Sequence, residues 1–230
     1  MRGVLLSTLL LAAGCSSPAA GEVVVHVDLA PPSDTSCIGV SGFAVEISGS
    51  GAEAGMLKET RARSRPVLSN ADCKLEQAVS LASVDLDTPL DISVRGFDGA
   101  GNVRVAGTLH LNKLRDAPDQ VVPLKYAGAE SAPPPVLAID RVAHLLAGKP
   151  LGDLISIEVT RGPAGTVLLT GNNTSAFFGV GEPWAAQLTP GEQLTADEEI
   201  TVRGVLAKTN EMVKLKAVQK QGYFLAEPLL

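Results

Sequence analysis

The sequence predicts an all-β protein in which two antiparallel β-sandwich domains follow one another along the chain. First, many short segments alternate apolar and polar residues, which is the period of a strand with one buried face. Second, clusters of Gly, Pro, Asn and Asp separate many of these segments, and such residues favour turns. Third, two of the segments recur in the second half of the chain in the same order, as expected for a repeated domain.

The individual elements follow from local patterns. A tight turn is predicted at residues 98–102, Asp-Gly-Ala-Gly-Asn, because Gly and Asn tolerate the positive φ angles of hairpins. Residues 53–63 have the best helical periodicity and predict one short helix. Outside the repeated blocks, strands are predicted over residues 23–29, 103–111, 121–126, 136–145, 166–170, 213–218 and 223–226.

The internal repeat consists of two blocks. Residues 42–48, Gly-Phe-Ala-Val-Glu-Ile-Ser, look like residues 154–160, Leu-Ile-Ser-Ile-Glu-Val-Thr, at an offset of 158 minus 46, or 112. Residues 91–96, Asp-Ile-Ser-Val-Arg-Gly, look like residues 199–204, Glu-Ile-Thr-Val-Arg-Gly, at an offset of 203 minus 95, or 108. The blocks indicate two copies of one domain. Convergence on a common strand pattern is the alternative, since strands favour few residue types.

A proline-rich segment divides the chain. Residues 133–135 are three consecutive prolines, which lack amide donors and favour a stiff, extended linker. The predicted organisation therefore has a signal peptide, a short tether, a first sandwich domain, a linker and a second sandwich domain. These parts cover residues 1–14, 15–21, 22–127, 128–135 and 136–230.

The N-terminus has the pattern of an export signal. Met1 and Arg2 are followed by a mostly apolar run over residues 4–13. Such a run fits the 7 to 15 or so apolar residues of a secretory signal peptide and is shorter than the about 20 that a membrane-spanning helix needs. By itself, this run fits an ordinary secretory signal or an apolar terminus without a targeting role.

Residues 11–15, Leu-Ala-Ala-Gly-Cys, resemble the lipobox of bacterial lipoproteins. The resemblance implies that Cys15 receives a diacylglycerol, becomes the mature N-terminus and attaches the protein to a membrane. Because Ser16 rather than Asp follows the cysteine, the resemblance also implies the outer membrane of the cell envelope. Two or three acyl chains anchor a protein firmly, whereas a single chain binds reversibly.

If Cys15 carries lipid, two cysteines remain. Cys37 and Cys73 form an even pair, which in an oxidising compartment favours one disulfide over two free thiols. A bridge closing a loop of roughly 35 residues is worth about 4 kcal/mol in the chain-entropy model. The C-x-x-C spacing of a redox site is absent, so a structural disulfide is predicted.

Residues 91–102, Asp-Ile-Ser-Val-Arg-Gly-Phe-Asp-Gly-Ala-Gly-Asn, resemble the late hairpin of fibronectin type III and other immunoglobulin-like domains. The resemblance implies an immunoglobulin-like sandwich and transfers no functional residue. Leu90 stands where the corner tyrosine of those domains would fall.

No catalytic motif stands out, and neither a metal site nor a cofactor is predicted. The sequence has no G-x-S-x-G elbow and no phosphate-binding loop, while His26, His110 and His144 have no close second ligand. Residues 49–54 match G-x-G-x-x-A, but the strands that follow do not alternate with helices, so a glycine-rich turn is expected there. Four aspartates lack the spacing of a calcium loop and are expected at turns and strand edges: Asp85, Asp87, Asp91 and Asp98.

Two features remain as candidate contacts for a ligand or partner. Arg61, Arg63 and Arg65 form, with Lys58, a small basic cluster that could hold an anionic group, or be a solvated loop. Trp184 lies in a polar, glycine-flanked stretch, where it could stack on a sugar or a partner protein, or fill a core.

These observations predict a non-catalytic, lipid-anchored envelope protein that acts as a structural or docking module, with the membrane as its first partner. The alternatives are a lipoprotein that binds a glycan, peptide or other envelope ligand through loops, and an enzyme with an unrecognised site. The formal net charge of −6 works against nucleic-acid binding, and no nucleic-acid partner is expected.

Overall fold

The computed structural model describes residues 22–30, 36–49, 57–63, 65–75, 77–82, 87–113, 119–130, 132–139, 154–172, 183–206 and 210–229. The predicted signal peptide, the tether and Cys15 lie outside these ranges. The described residues form β-strands and one single-turn 3-10 helix, Asn70–Asp72, with no α-helix among them. The predicted all-β fold is confirmed. None of the described residues form a helix that could span a membrane.

The strands are numbered in chain order. Those before the triple proline are β1 (Glu22–Ala30), β2 (Val40–Gly49), β3 (Leu57–Ala62), β4 (Gln77–Ala82), β5 (Leu90–Asp98), β6 (Val103–Leu111), β7 (Asp119–Pro123) and β8 (Lys125–Tyr126). Those after it are β9 (Val136–Ile139), β10 (Leu154–Thr160), β11 (Val167–Asn172), β12 (Trp184–Gln187), β13 (Glu198–Leu206), β14 (Asn210–Gln219) and β15 (Phe224–Pro228).

The N-terminal half packs two sheets face to face. One has the order β4-β1-β7 and the other β3-β2-β5-β6-β8, and only the β1–β7 pair is parallel among the described strands of this half. The chain passes from one sheet to the other between β7 and β8, at the buried residue Leu124. Val27 and Leu29 of the smaller sheet share one apolar core with Phe43 and Ile92 of the larger sheet.

The C-terminal half contains a seven-stranded sheet with the order β11-β10-β13-β14-β15-β9-β12. The sheet curls over itself, because strands from both ends of this order contribute to one core. Trp184 of β12 lies against Gly171 of β11, where an added Cβ would come within 2.7 Å of the indole ring. The two outer strands of the sheet therefore lie next to each other.

The two halves have the same strand connectivity. In each half the first strand pairs antiparallel with the fourth and parallel with a strand near the end, while the second strand lies between the third and the fifth. The repeated blocks fall on equivalent strands, β2 with β10 and β5 with β13. In each half an ion pair joins the two strands that carry the blocks. Glu46 of β2 pairs with Arg95 of β5 at 3.2 Å, and Glu158 of β10 pairs with Arg203 of β13 at 3.8 Å.

Most predicted strands are present, with ends shifted by a few residues. The predicted strand over residues 121–126 is instead divided into β7 and β8, which belong to different sheets. The predicted helix over residues 53–63 is wrong where it can be compared, because residues 57–62 form β3, which pairs with β2 from Ile47↔Leu57 to Gly42↔Ala62. Pairing with a partner strand outweighs a weak local helical pattern over so few residues. Strands β4 and β12 were not predicted, and residues 140–145 of one predicted strand lie outside the described residues.

The predicted disulfide joins Cys37 and Cys73, whose Cα atoms are 6.1 Å apart. Both cysteines are fully buried in the N-terminal core. The bond ties the turn before β2 to the segment after the 3-10 helix. It therefore fixes residues 65–75, which have little regular secondary structure.

Candidate functional site

The two halves meet along a seam at the outer edge of β12. Strand β12 is hydrogen-bonded to β9 on one side. The carbonyl of Ala185 and the amide of Gln187 point to the opposite side, away from β9. The amide of Gly99, in the β5–β6 turn of the other half, donates to Ala185 O at 2.8 Å. The amide of Gln187 donates to Asp98 Oδ2 at 3.0 Å. The turn thus satisfies a sheet edge that would otherwise be open to pairing with another chain.

Asp98 organises this turn and the seam together. Its Oδ1 accepts the amides of Ala100 at 3.0 Å and Asn102 at 2.8 Å, and its Oδ2 accepts Asn102 Nδ2 at 3.0 Å. Gly101 has a φ of 89°, which glycine adopts without strain, and the predicted turn at residues 98–102 is confirmed. Burial raises the pKa of Asp98, although the hydrogen bonds from Asn102, Gln187 and Ala100 oppose this shift.

Arg104 of β6 connects its own strand with the triple proline and with β12, and its side chain is buried, with 1% exposed. Its Nη1 donates to Pro134 O at 3.0 Å and to Gln187 Oε1 at 3.2 Å. Pro135 O accepts the amide of Leu188 at 2.8 Å. The triple proline predicted as a linker is therefore held by hydrogen bonds to β6 on one side and to the residue after β12 on the other.

Trp184 lies beneath the seam and is 1% exposed. Its indole ring fills the space over Gly171 on one side and Gly99 on the other, so that a Cβ at either glycine would collide with the ring. Of the two predicted roles, the structure supports the core residue. The alternative that Trp184 stacks on a ligand is not supported, because its ring is buried on both faces.

An apolar cluster continues the seam. Ile38, Val136, Ala138 and Ala185 are buried together, and Leu68, Tyr223 and Leu225 pack against them at the edge. Gly39 makes this close approach possible, since a Cβ there would come within 2.9 Å of the Val136 side chain.

A groove of about 960 Å³ opens beside this cluster, between the end of β3 and the loop to the disulfide on one side and the C-terminal half on the other. We call it the seam groove. Its polar lining is mostly basic and its apolar lining is mostly aliphatic. The lining residues with polar side chains are Arg61, Arg63, Arg65, Asp72, Lys74 and Tyr223, and the larger apolar ones are Pro66, Leu68, Leu75, Ile139, Pro183 and Leu225.

The three arginines of the predicted basic cluster lie on the rim of the seam groove. Arg61, at the end of β3, and Arg65 are exposed, whereas Arg63 is half-buried and donates from Nη1 to Lys74 O at 3.0 Å. Lys74 is also exposed and adds a cation that the sequence pattern did not group with the arginines. The disulfide at Cys73 brings Lys74 to this position. Lys58, the remaining member of the predicted cluster, lies earlier in β3.

The other residues considered as ligands are not brought together. Asp91 Oδ1 lies 2.8 Å from His110 Nδ1 on the surface, Asp98 is buried in the seam, and Asp87 is exposed. Asp85, His144 and residues 50–54 of the glycine-rich motif lie outside the described residues. Within the described ranges, no three His, Cys, Asp or Glu side chains are close enough to hold a metal ion.

Sequence reasoning missed two polar residues of the seam, Arg104 and Gln187. An arginine between two valines in a predicted strand carries no signal of its own, since alternation places it on the solvent face. Only packing of the second half against that face buries it.

Comparisons with known proteins do not add a function. No protein-family model matches the chain, and no curated protein matches it significantly in sequence. The geometry of the seam and of the seam groove therefore carries the functional argument.

Proposed function

We propose that this protein is a non-catalytic, lipid-anchored docking module of the bacterial cell envelope, built from two copies of an immunoglobulin-like sandwich. The copies correspond to residues 22–127 and 136–230, joined by residues 128–135. Cys15 carries the lipid that holds the protein to the outer membrane, and the folded part presents its docking surface to another envelope component.

The observation that carries the proposal is the seam. The β5–β6 turn covers the edge of β12, and Arg104 ties both halves to the triple proline. A seam of buried hydrogen bonds and apolar contacts keeps two units in one orientation, which suits a protein that positions a partner at a fixed geometry. A chain of independent spacers would not need such contacts.

The disulfide supports the proposed compartment. Cys37 and Cys73 are paired in a buried core, and stable structural disulfides are typical of oxidising compartments such as the periplasm. The net charge of −6 favours solubility over non-specific attachment to anionic surfaces. The acyl chains on Cys15 would then be the part that holds the protein to the membrane.

The alternative of a ligand-binding lipoprotein is favoured by one specific observation, the seam groove. A concave surface with an apolar floor and a few charged groups is the usual form of a binding site. Docking and ligand binding are compatible if the ligand is part of the docked partner.

Expression of the full-length precursor in a bacterium with two membranes tests the proposed anchor. We expect the wild-type protein in the membrane fraction, with an N-terminal Cys15 whose mass is raised by a diacylglyceryl group and an amide-linked acyl chain. The Cys15→Ser variant should lose both the lipid and the membrane attachment. Recovery of unmodified wild-type protein from the cytosol would refute the proposal.

A further inference from the structure

The seam groove combines a basic rim with an apolar floor. Among the residues that the structure describes, its rim carries four basic side chains, Arg61, Arg63, Arg65 and Lys74, against one acidic side chain, Asp72. This local excess of positive charge occurs on a chain whose formal net charge is −6. The charge pattern is complementary to a ligand that carries several negative groups.

The geometry of the arginines suits carboxylates held at fixed positions. Arg63 is half-buried, and its hydrogen bond to Lys74 O holds the guanidinium beside the groove. Arg61 and Arg65 project from the rim with exposed side chains. Guanidinium groups bind carboxylates through paired hydrogen bonds, and partial burial strengthens such contacts relative to fully solvated ones.

The floor of the groove requires apolar groups in the same ligand. Leu68, Ala138 and Leu225 line the floor, and the C-terminal half also contributes Pro183 and Tyr223 to the groove. An anionic polysaccharide or a bare phosphate would engage the rim and leave this aliphatic floor uncovered. A peptide that alternates acidic and aliphatic residues would cover both, because successive side chains of an extended segment point to opposite faces.

An extended segment also finds a backbone partner beside the groove. Strand β3, which ends at Arg61 and Ala62, is an edge strand of its five-stranded sheet in the described part of the chain. A strand at the edge of a sheet can accept another strand through main-chain hydrogen bonds, and side-chain pockets then provide selectivity. The edge of β12, in contrast, is already covered by the turn that contains Asp98 and Gly99.

We propose that the seam groove binds an extended peptide segment of a partner protein, in which acidic residues contact the arginine rim and aliphatic residues contact the floor. This inference rests on the proposed docking function and specifies the chemistry of the docked partner. Arg61 and Arg65 are the residues that select for acidic side chains. The floor around Leu68 and Leu225 selects for aliphatic ones.

The test uses the full-length, lipidated protein in detergent and a fluorescein-labelled heptapeptide in which glutamate alternates with valine. Fluorescence anisotropy should show saturable binding that weakens as salt is raised, because part of the attraction is between exposed charges. The double variant Arg61→Gln/Arg65→Gln should weaken binding at least tenfold. The control variant Lys113→Gln/Lys125→Gln removes two exposed cations outside the groove and should bind as the wild type does.

Two further probes distinguish the ligand classes. A heptaglutamate peptide and a sulfated oligosaccharide of similar charge should each bind at least tenfold more weakly than the alternating peptide. Equal binding of all three probes would overturn the proposal in favour of a non-selective anion surface. Undetectable binding of the alternating peptide, or equal effects of the two double variants, would overturn it as well.

Failure of this inference is distinguishable from failure of the proposed function. Peptide binding is measured on purified protein and does not depend on attachment to a membrane. A Cys15→Ser protein that binds the alternating peptide, together with a wild type that is not lipidated, would refute the anchor alone. A lipidated wild type that ignores the peptide would refute the groove alone. Unchanged urea unfolding of the Arg61→Gln/Arg65→Gln variant shows that its effect is local.

Discussion

Asp98 shows how one residue can serve a turn and an interface at the same time. The sequence predicts the turn, because Asp, Gly and Asn at residues 98–102 are typical of a hairpin. It does not reveal that the second carboxylate oxygen accepts the amide of Gln187, which is 89 residues further along the chain. Long-range contacts of this kind leave no local pattern in the sequence. The role of Asp98 in the seam can therefore be identified only from the folded structure.

The raised pKa of Asp98 predicts a specific pH dependence of stability. Burial holds this pKa above the usual 3.8, so the folded protein binds the proton more tightly than the unfolded chain does. The stability linked to this proton is fully present below the unfolded pKa and is lost as pH rises through the folded pKa. Stability contributed by Asp98 should therefore decrease with rising pH in that window.

Urea unfolding of the wild type and of Asp98→Asn from pH 3.5 upward measures this effect. The variant does not titrate at residue 98, and its amide group faces backbone donors, which should cost about 1–3 kcal/mol. The wild-type free energy of unfolding minus that of the variant should fall as pH rises. A difference that is constant or increases with pH would contradict the assignment.

At the scale of elements, the pairing of strands decides what local propensity leaves undetermined. Residues 57–62 have a helical pattern, yet they form β3, because every residue of β3 has a partner residue in β2. Strand β12 was missed since Trp184-Ala-Ala-Gln187 lacks alternation, and all but Gln187 are buried. A short strand covered on both faces has no polar side to mark its period.

The contact between the β5–β6 turn and β12 predicts the effect of a single methyl group. In Gly99→Ala, the new Cβ would collide with the indole of Trp184 and lie 2.8 Å from Ala185 O, so the turn must move away from β12. We expect the free energy of unfolding to fall by about 1–3 kcal/mol, as for other overpacked sites.

Gly162→Ala is the control, because its added Cβ meets no atom within 4 Å, although Gly162 has a φ of 73° and the substitution strains the backbone. Chemical denaturation of both variants separates the two causes. The seam contact predicts a larger loss for Gly99→Ala. A loss equal to or smaller than that of Gly162→Ala would show that the turn does not pack tightly on Trp184.

At the scale of the whole molecule, the sequence predicts the all-β fold, most strands and the disulfide, because each depends on local alternation, turn residues or an even cysteine pair. The repeated blocks also fall on equivalent strands, and an ion pair joins the two strands in each half, Glu46 with Arg95 and Glu158 with Arg203. The candidate site was predicted only in part. Arg61, Arg63 and Arg65 were identified as a cluster, but the groove that they border requires the C-terminal half beside them.

The surroundings of Arg104 depend on the arrangement of the two halves. On an isolated first half, its side chain would lie on the open face of β6, whereas here it is buried and donates to Pro134 O and Gln187 Oε1. Burial of an arginine is tolerated only when it has such partners. Its removal should therefore weaken the seam while leaving each sandwich core intact.

Differential scanning calorimetry of the wild type and of Arg104→Met tests the central claim that the seam makes the two halves one cooperative unit. Methionine keeps much of the apolar volume and removes the donors to the proline segment and to β12. We expect a single transition for the wild type, with equal calorimetric and van't Hoff enthalpies, and two separated transitions for the variant. Two independent transitions in the wild type would contradict the claim.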